Sequence, residues 1–321
     1  MAKKISRSTL LNIILGAALI VVLVFGYFYF KRVSPVEVAQ TVVPANLPEY
    51  EFMFPIYGGE KEFNNPYEIL AFNDAVYVSD SKNARIAVYD RTGKHLKDIV
   101  SKEMKYPAGM YWDGERLWVA EAMNHKVLVM NADGNMLDRI SLDNKVLVAD
   151  IAVNGNKLYL INIRAMRIEI YDLNTRKLIK SFGGIGKEEG KLYYPYDLTV
   201  RDGKLYVADS LNNRINIYDL DGKFIMTLPK RTGDPKKGGL SVPRGLAFDK
   251  SGVLYTVEGM AHRVTAINDK GEILMQLTKS QPLNEEEVMD ITLPTDVTFD
   301  EVGRMYVLEH GFKRILVYKR K

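Results

Sequence analysis

The chain has 321 residues, 47% of them hydrophobic and 26% charged, enough for one large folded domain with a substantial core. It contains no cysteine, which excludes disulfides, thiolate-bound zinc, iron–sulfur clusters and thiol catalysis, and four histidines leave a short list for imidazole chemistry. The formal net charge of +4 comes from 44 basic and 40 acidic side chains, a value that taken alone invites a nucleic-acid or acidic partner.

Leu10 to Phe30 reads LLNIILGAALIVVLVFGYFYF, without a single charge. A helix of that length spans about 30 Å, the thickness of a bilayer's hydrocarbon core. Tyr27 to Phe30 would lie at headgroup level, and Lys31 and Arg32 end the segment. The apolar run exceeds the roughly 7–15 residues of a cleaved signal's core, and Glu37-Val38-Ala39 is a poor cleavage site. Residues 1–32 are therefore expected to form a cytoplasmic tip and an uncleaved signal-anchor. Lys3, Lys4 and Arg7 precede the span, and only Lys31 and Arg32 follow it. This margin places the N-terminus in the cytoplasm and the body of the protein outside it, as a single-pass membrane protein. Residues 1–35 hold no acid, so the remaining chain carries 39 basic and 40 acidic side chains and is nearly neutral. Residues 33–49 are Pro-spaced, lack helical periodicity and read as an extended linker.

Beyond the linker one pattern recurs six times. LYVADSLNNRINIYD at Leu205–Asp219 is echoed by VYVSDSKNARIAVYD, LWVAEAMNHKVLVMN, LYLINIRAMRIEIYD, LYTVEGMAHRVTAIN and MYVLEHGFKRILVYK. An aromatic stands in register at Tyr77, Trp118, Tyr159, Tyr206, Tyr255 and Tyr306. Three positions later come Asp80, Glu121, Asn162, Asp209, Glu258 and Glu309, and eight positions later Arg85, Lys126, Arg167, Arg214, Arg263 and Arg314. Eleven or twelve positions before the aromatic stands Pro66, Pro107, Pro195, Pro243 or Pro294, with Val148 in the third copy. Each copy alternates apolar and polar residues in short runs separated by turn residues, the signature of antiparallel strands. Four strands per repeat at a period of 40–50 residues predict blades of a β-propeller. The last copy lacks a fourth strand, whereas residues 50–59 (YEFMFPIYGG) supply a spare one before the first. Residues 50–321 are thus expected to form an all-β, six-bladed propeller closed by its own N-terminal strand.

The linker-plus-strand pattern resembles the NHL-repeat propellers. The likeness is clearest in Phe182-Gly183-Gly184-Ile185-Gly186, Tyr194-Pro195, Tyr206-Val207-Ala208-Asp209-Ser210 and Asn212-Asn213-Arg214-Ile215. It covers residues 50–321 and weakens in the third copy, where Val148 and Asn162 replace the proline and the acid. The resemblance implies a platform that binds proteins, in some members RNA or a small ligand, with a minority of related propellers acting as lyases.

The repeated acid and base face one another across a hairpin and read as architecture: Asp80 with Arg85, Asp209 with Arg214, Glu258 with Arg263 and Glu309 with Arg314. Two residues after the proline position the ring reads Glu68, Gly109, Asp150, Asp197, Gly245 and Asp296. In NHL propellers this strand is innermost, so the resemblance places the four acids around a central channel. They would either hold backbone N–H groups of neighbouring blades or, through Glu68, Asp197 and Asp296, recruit a divalent cation, the one cofactor these residues suggest. The histidines make a poor zinc set, because His125 and His262 occupy equivalent loops of opposite copies. Gly183 to Gly190 lacks the lysine-hydroxyl pair of a phosphate loop. Lys230, Arg231, Lys236 and Lys237 with Arg244 form the strongest basic cluster.

The expected function is a membrane-anchored scaffold that binds a protein or peptide on the face carrying the hairpin and inter-blade loops. Tyr67, Tyr196, Arg244 and His262 lie there, beside the acids at the channel mouth. A cation-dependent hydrolase or lyase is the first alternative, and an RNA-binding domain the second.

Overall fold

The structure, a computed structural model, describes residues 49–229, 239–278 and 290–321. The expected span Leu10–Phe30, the linker up to residue 48 and the basic residues Lys230 to Lys237 lie outside the described residues. Among the described residues no helix is long and apolar enough to cross a membrane.

Among the described residues twenty-four strands form six four-stranded antiparallel sheets, the blades of a β-propeller. Strand β1 (Tyr50–Tyr57) precedes the first blade, which comprises β2 (Pro66–Phe72), β3 (Ala75–Asp80), β4 (Arg85–Asp90) and β5 (His95–Ile99). The second holds β6 (Pro107–Trp112), β7 (Leu117–Glu121), β8 (Lys126–Met130) and β9 (Met136–Ser141). The third holds β10 (Val148–Asn154), β11 (Lys157–Asn162), β12 (Arg167–Asp172) and β13 (Leu178–Gly183). In the fourth stand β14 (Pro195–Arg201), β15 (Lys204–Asp209), β16 (Arg214–Asp219) and β17 (Phe224–Leu228). The fifth has β18 (Pro243–Phe248), β19 (Leu254–Glu258), β20 (Arg263–Ile267) and β21 (Ile273–Leu277). The sixth combines β22 (Pro294–Phe299), β23 (Met305–Glu309) and β24 (Arg314–Arg320) with β1.

Burial follows the order of strands within a blade. Every residue of the second strand AVYVSD in β3 is buried, because both faces of a blade pack against neighbours. The outermost strand β5, HLKDI, buries only Ile99. Between the first two blades, Tyr77, Ile86 and Val88 pack on Met110, Val119 and Leu128. Each such side chain stabilises the ring by about 1.5–3 kcal/mol. Ring closure uses the same chemistry. Strand β1 pairs antiparallel with β24 from Tyr50–Arg320 to Tyr57–Arg314, and the Tyr50 hydroxyl donates to the Tyr255 hydroxyl at 3.0 Å. Because β1 and β24 stand at opposite ends of the strand order in sequence and pair in one blade, the ring of blades has no open end.

The connections fall on two faces. Hairpin loops between second and third strands share a face with the inter-blade loops, while the tight turns Asn73-Asp74 and Arg91–Lys94 lie on the other. The hairpin loops all pass through a left-handed residue at the same position: Ala84, His125, Met166, Asn213, His262 and Lys313, with φ between 51° and 57°. Each innermost strand also begins with an irregularity in register directly after its proline position, for example between Pro66 and Ile69 and between Pro195 and Leu198. This bulge re-aims the residues that build the channel.

Candidate functional site: a channel capped by two tyrosines

The paired acids and bases of the hairpins meet as side-chain pairs. Arg85 Nε lies 2.7 Å from Asp80, Arg214 Nε 2.7 Å from Asp209, and Arg263 Nε 2.7 Å from Glu258, while Arg314 Nε donates to Glu309. Each acid also does something the hairpin pattern did not announce. It accepts a backbone N–H from the inter-blade loop just before the innermost strand of its own blade: Asn64 on Asp80, Tyr193 on Asp209, Ser241 on Glu258 and Thr292 on Glu309. The pairs therefore join hairpin to loop within a blade, where the loop's donors would otherwise be orphaned. In the third blade Asn162 takes the acid's place, and a carboxylate reappears on the facing strand: Glu169 accepts from Asn162 at 2.8 Å and from Arg167 at 2.6 Å.

The channel acids are tied from blade to blade. Asp150 accepts Leu198 N–H at 2.8 Å, Asp197 accepts Leu246 N–H at 2.9 Å and Asp296 accepts Ile69 N–H at 2.8 Å, so each reaches the residue after the bulge in the next blade. Glu68 is lowered in pKa by Met110 N–H in the same manner, but burial first, then Asp150, Asp296 and Asp197, push it well above the usual carboxylate range. Burial and the neighbouring acids raise Asp197 likewise, burial raises Asp296 against its two backbone donors, and burial pushes Asp150 up to about 7. The glycines between them are spaces for carboxylates. A Cβ at Gly109 would lie 2.1 Å from Asp150 Oδ1, and one at Gly245 would lie 2.0 Å from Asp296 Oδ1.

The ring repeats after three blades. Glu68-Gly109-Asp150 is followed by Asp197-Gly245-Asp296, and residues one position earlier include Tyr67 and Tyr196 in opposite blades. Their rings stack across the axis, 4.9 Å apart and 9° from parallel, and Arg244 lies over Tyr196 at 5.3 Å. Arg244 reaches there across Gly259, where a Cβ would stand 2.8 Å from its Nε. The same two-fold echo appears in Ser81 and Ser210, whose hydroxyls donate to the carbonyls of Pro107 and Pro243 at 2.6 Å each.

At the expected mouth the acids are covered. Glu68, Asp150, Asp197 and Asp296 are all buried and do not open onto the loop face; Tyr67, Tyr196 and Arg244 close that end. A cavity of about 350 Å³ instead runs from Glu68, Asp197 and Asp296 along the innermost strands to Phe72, Trp112, Arg201, Phe248 and Phe299 at their far ends. His262 stands in the hairpin loop of the fifth blade. Its Nδ1 accepts the Leu293 N–H at 3.0 Å, and His125 Nδ1 contacts the Val146 carbonyl at 2.6 Å, so both histidines join a hairpin loop to the next blade. Among the described residues no group of three or more His, Asp or Glu is arranged to hold a metal ion. The channel acids fit a divalent cation poorly: Asp296 gives both oxygens to backbone donors, Ile69 and Val297, and burial favours protons on the rest.

These features define a six-bladed β-propeller with a capped, acid-ended channel. Solved structures of the same fold include a streptogramin B lyase (17% identity, 85% of this chain and 97% of that one, TM-score 0.58). A catalytically inactive virginiamycin B lyase from Staphylococcus aureus with quinupristin is similar at 14% identity, covering 84% of this chain and 99% of that one, TM-score 0.58. A protein of unknown function from Bacteroides thetaiotaomicron matches at 15% identity over 84% of this chain and 73% of that one, TM-score 0.64. At these identities the likeness is one of fold. No protein-family model matches the chain, and no curated protein does.

Proposed function

We propose that the protein is a membrane-anchored propeller of NHL type that binds a protein or peptide partner on its loop face, outside the cytoplasm. One observation carries the binding role. Met123, Leu211, Met260 and Phe312 project from the hairpin loops of the second, fourth, fifth and sixth blades with 64%, 45%, 64% and 58% of their surfaces exposed. Four large apolar side chains on one face of a ring are a feature of surfaces that become covered. Basic groups stand among them: burial together with Arg244, Lys82 and Lys313 holds His310 below the usual histidine range. The fitting partner is a polypeptide that presents apolar side chains flanked by carboxylates.

The anchor rests on the uncharged run Leu10–Phe30, and the orientation on Lys3, Lys4 and Arg7 before it. The NHL assignment rests on the linker-and-strand motif, and its third copy departs from that motif. The lyase reading draws on the resemblance, a channel cation and the names of fold neighbours, and here the histidines of opposite blades are each engaged by a neighbouring loop. An RNA-binding role would need a strongly basic face, which the near-neutral propeller does not supply. Protease treatment of intact cells tests the topology: the propeller should be cleaved from outside, and protection until lysis would overturn this reading.

A further inference from the structure

The channel behind the tyrosine cap has walls and an end of different chemistry. Its sides mix apolar side chains, including Ile69, Met110, Leu198, Leu246 and Val297, with Thr199, Thr298 and polar backbone groups, and its blind end is formed by Glu68, Asp197 and Asp296. Its open end is rimmed by the half-buried rings of Trp112, Phe248 and Phe299, with Arg201 over Phe248 at 4.9 Å and donating to the Asp249 carbonyl at 3.3 Å. A size of about 350 Å³ falls in the range of small-molecule sites.

The carboxylates are more than interblade ties. Asp197 uses only Oδ2 for the Leu246 N–H. Asp150, 98% buried by its 2% exposure, has Oδ1 enclosed with no hydrogen-bond partner among the described residues. That oxygen sits in the notch left by Gly109, behind Glu68 and Asp197, which face the channel, so it depends on a proton shared with those acids, and a donor brought against them changes that sharing. A ligand that brings positive charge and N–H groups would replace such a proton, and its body would lie along the apolar side chains of the walls.

We infer that the channel binds a small organic ammonium, a primary amine on an aromatic or aliphatic body, with the ammonium against Glu68 and Asp197 and the body along the apolar side chains of the walls, toward the aromatic rim. Entry is from the aromatic rim, opposite the proposed partner-binding face, and aromatic faces favour passage of an organic cation. This site does not depend on the partner-binding proposal.

The test is calorimetric titration of the purified full chain in detergent with 2-phenylethylamine and with its neutral isostere 2-phenylethanol. The amine should bind about 10- to 100-fold more tightly than the alcohol, the margin of a charge-assisted hydrogen bond. Asp197→Asn, which retains an acceptor for Leu246, should remove that preference. Thr199→Phe, which fills the channel wall while leaving all four acids in place, should abolish binding of both. No binding of the amine, equal binding of amine and alcohol, or amine binding that survives Thr199→Phe would each overturn the inference.

Discussion

The rings of Tyr67 and Tyr196 lie face to face 4.9 Å apart, one from the first blade and one from the fourth, and close the loop-face end of the channel. They meet because the bulge after Pro66 and the bulge after Pro195 turn equivalent residues toward the axis from opposite sides. Stacking at this geometry contributes about 0.5–1.5 kcal/mol beyond the area buried. A double-mutant cycle on Tyr67→Ala and Tyr196→Ala, followed by urea unfolding, should return a coupling of about that size. Additive effects would mean that the two rings do not support one another.

Gly245 lies against the following blade so closely that a Cβ would stand 2.0 Å from Asp296 Oδ1 and 2.5 Å from Asp296 Cα. Gly245→Ala must shift backbone as well as a carboxylate, and is expected to cost about 1–3 kcal/mol or more. Gly239, with nothing within 4 Å of the same position, gives the control: Gly239→Ala should lie within about 0.5 kcal/mol of the parent. Denaturant midpoints of the two variants decide this.

Asp209 holds Arg214 across the hairpin and the Tyr193 N–H of the preceding loop, with no exposed surface of its own. Asp209→Ala strands a buried guanidinium and a backbone donor together, and should destabilise by about 3–5 kcal/mol. The Arg176–Asp138 pair is about half exposed at both partners, and Arg176→Ala should cost no more than about 1 kcal/mol. Comparable losses at the two positions would contradict the division into architectural and surface pairs.

The channel acids make stability depend on pH with an uncommon sign. Asp150 is pushed up to about 7, and Glu68, Asp197 and Asp296 are also raised, so between the unfolded carboxylate pKa of about 4 and these folded values the folded state holds more protons than the unfolded one. The contribution of these groups is therefore fully present below about pH 4 and is lost as pH rises through about 7 and beyond. Relative to the parent, a Glu68→Gln and Asp197→Asn variant should show a flatter fall in unfolding free energy from pH 5 to pH 8. An unchanged slope would remove the acid cluster as its source.

The blade pattern is legible in the sequence because an aromatic, an acid and a base recur at fixed offsets, and strand alternation is local. Pairing of Asp209 with Arg214 follows from the same locality. The cap is not legible in this way, because stacking of Tyr67 on Tyr196 depends on ring closure and on two bulges, and neither bulge has a distinctive residue besides its proline. Nor does the sequence show that the acids open away from the loop face, which follows from that cap. The replacement of Asn162 by Glu169 as the buried carboxylate of the third blade is hidden because the acid has moved to the facing strand. One signal could have placed the histidines: His125 and His262 share a left-handed hairpin position with Asn213, a residue type that favours that conformation, and both lie in a Glu-x-Met-x-His run.

The partner-binding face is the central claim, and site-specific photo-crosslinking in intact cells tests it most directly. A photoreactive residue placed in turn at Met123, Leu211, Met260 and Phe312 should capture one and the same protein, identified by mass spectrometry. Val302, 62% exposed in a turn of the opposite face, should capture none of it. Capture of that protein from Val302 as readily as from the loop face, or of no shared protein from the four loop positions, would contradict the account.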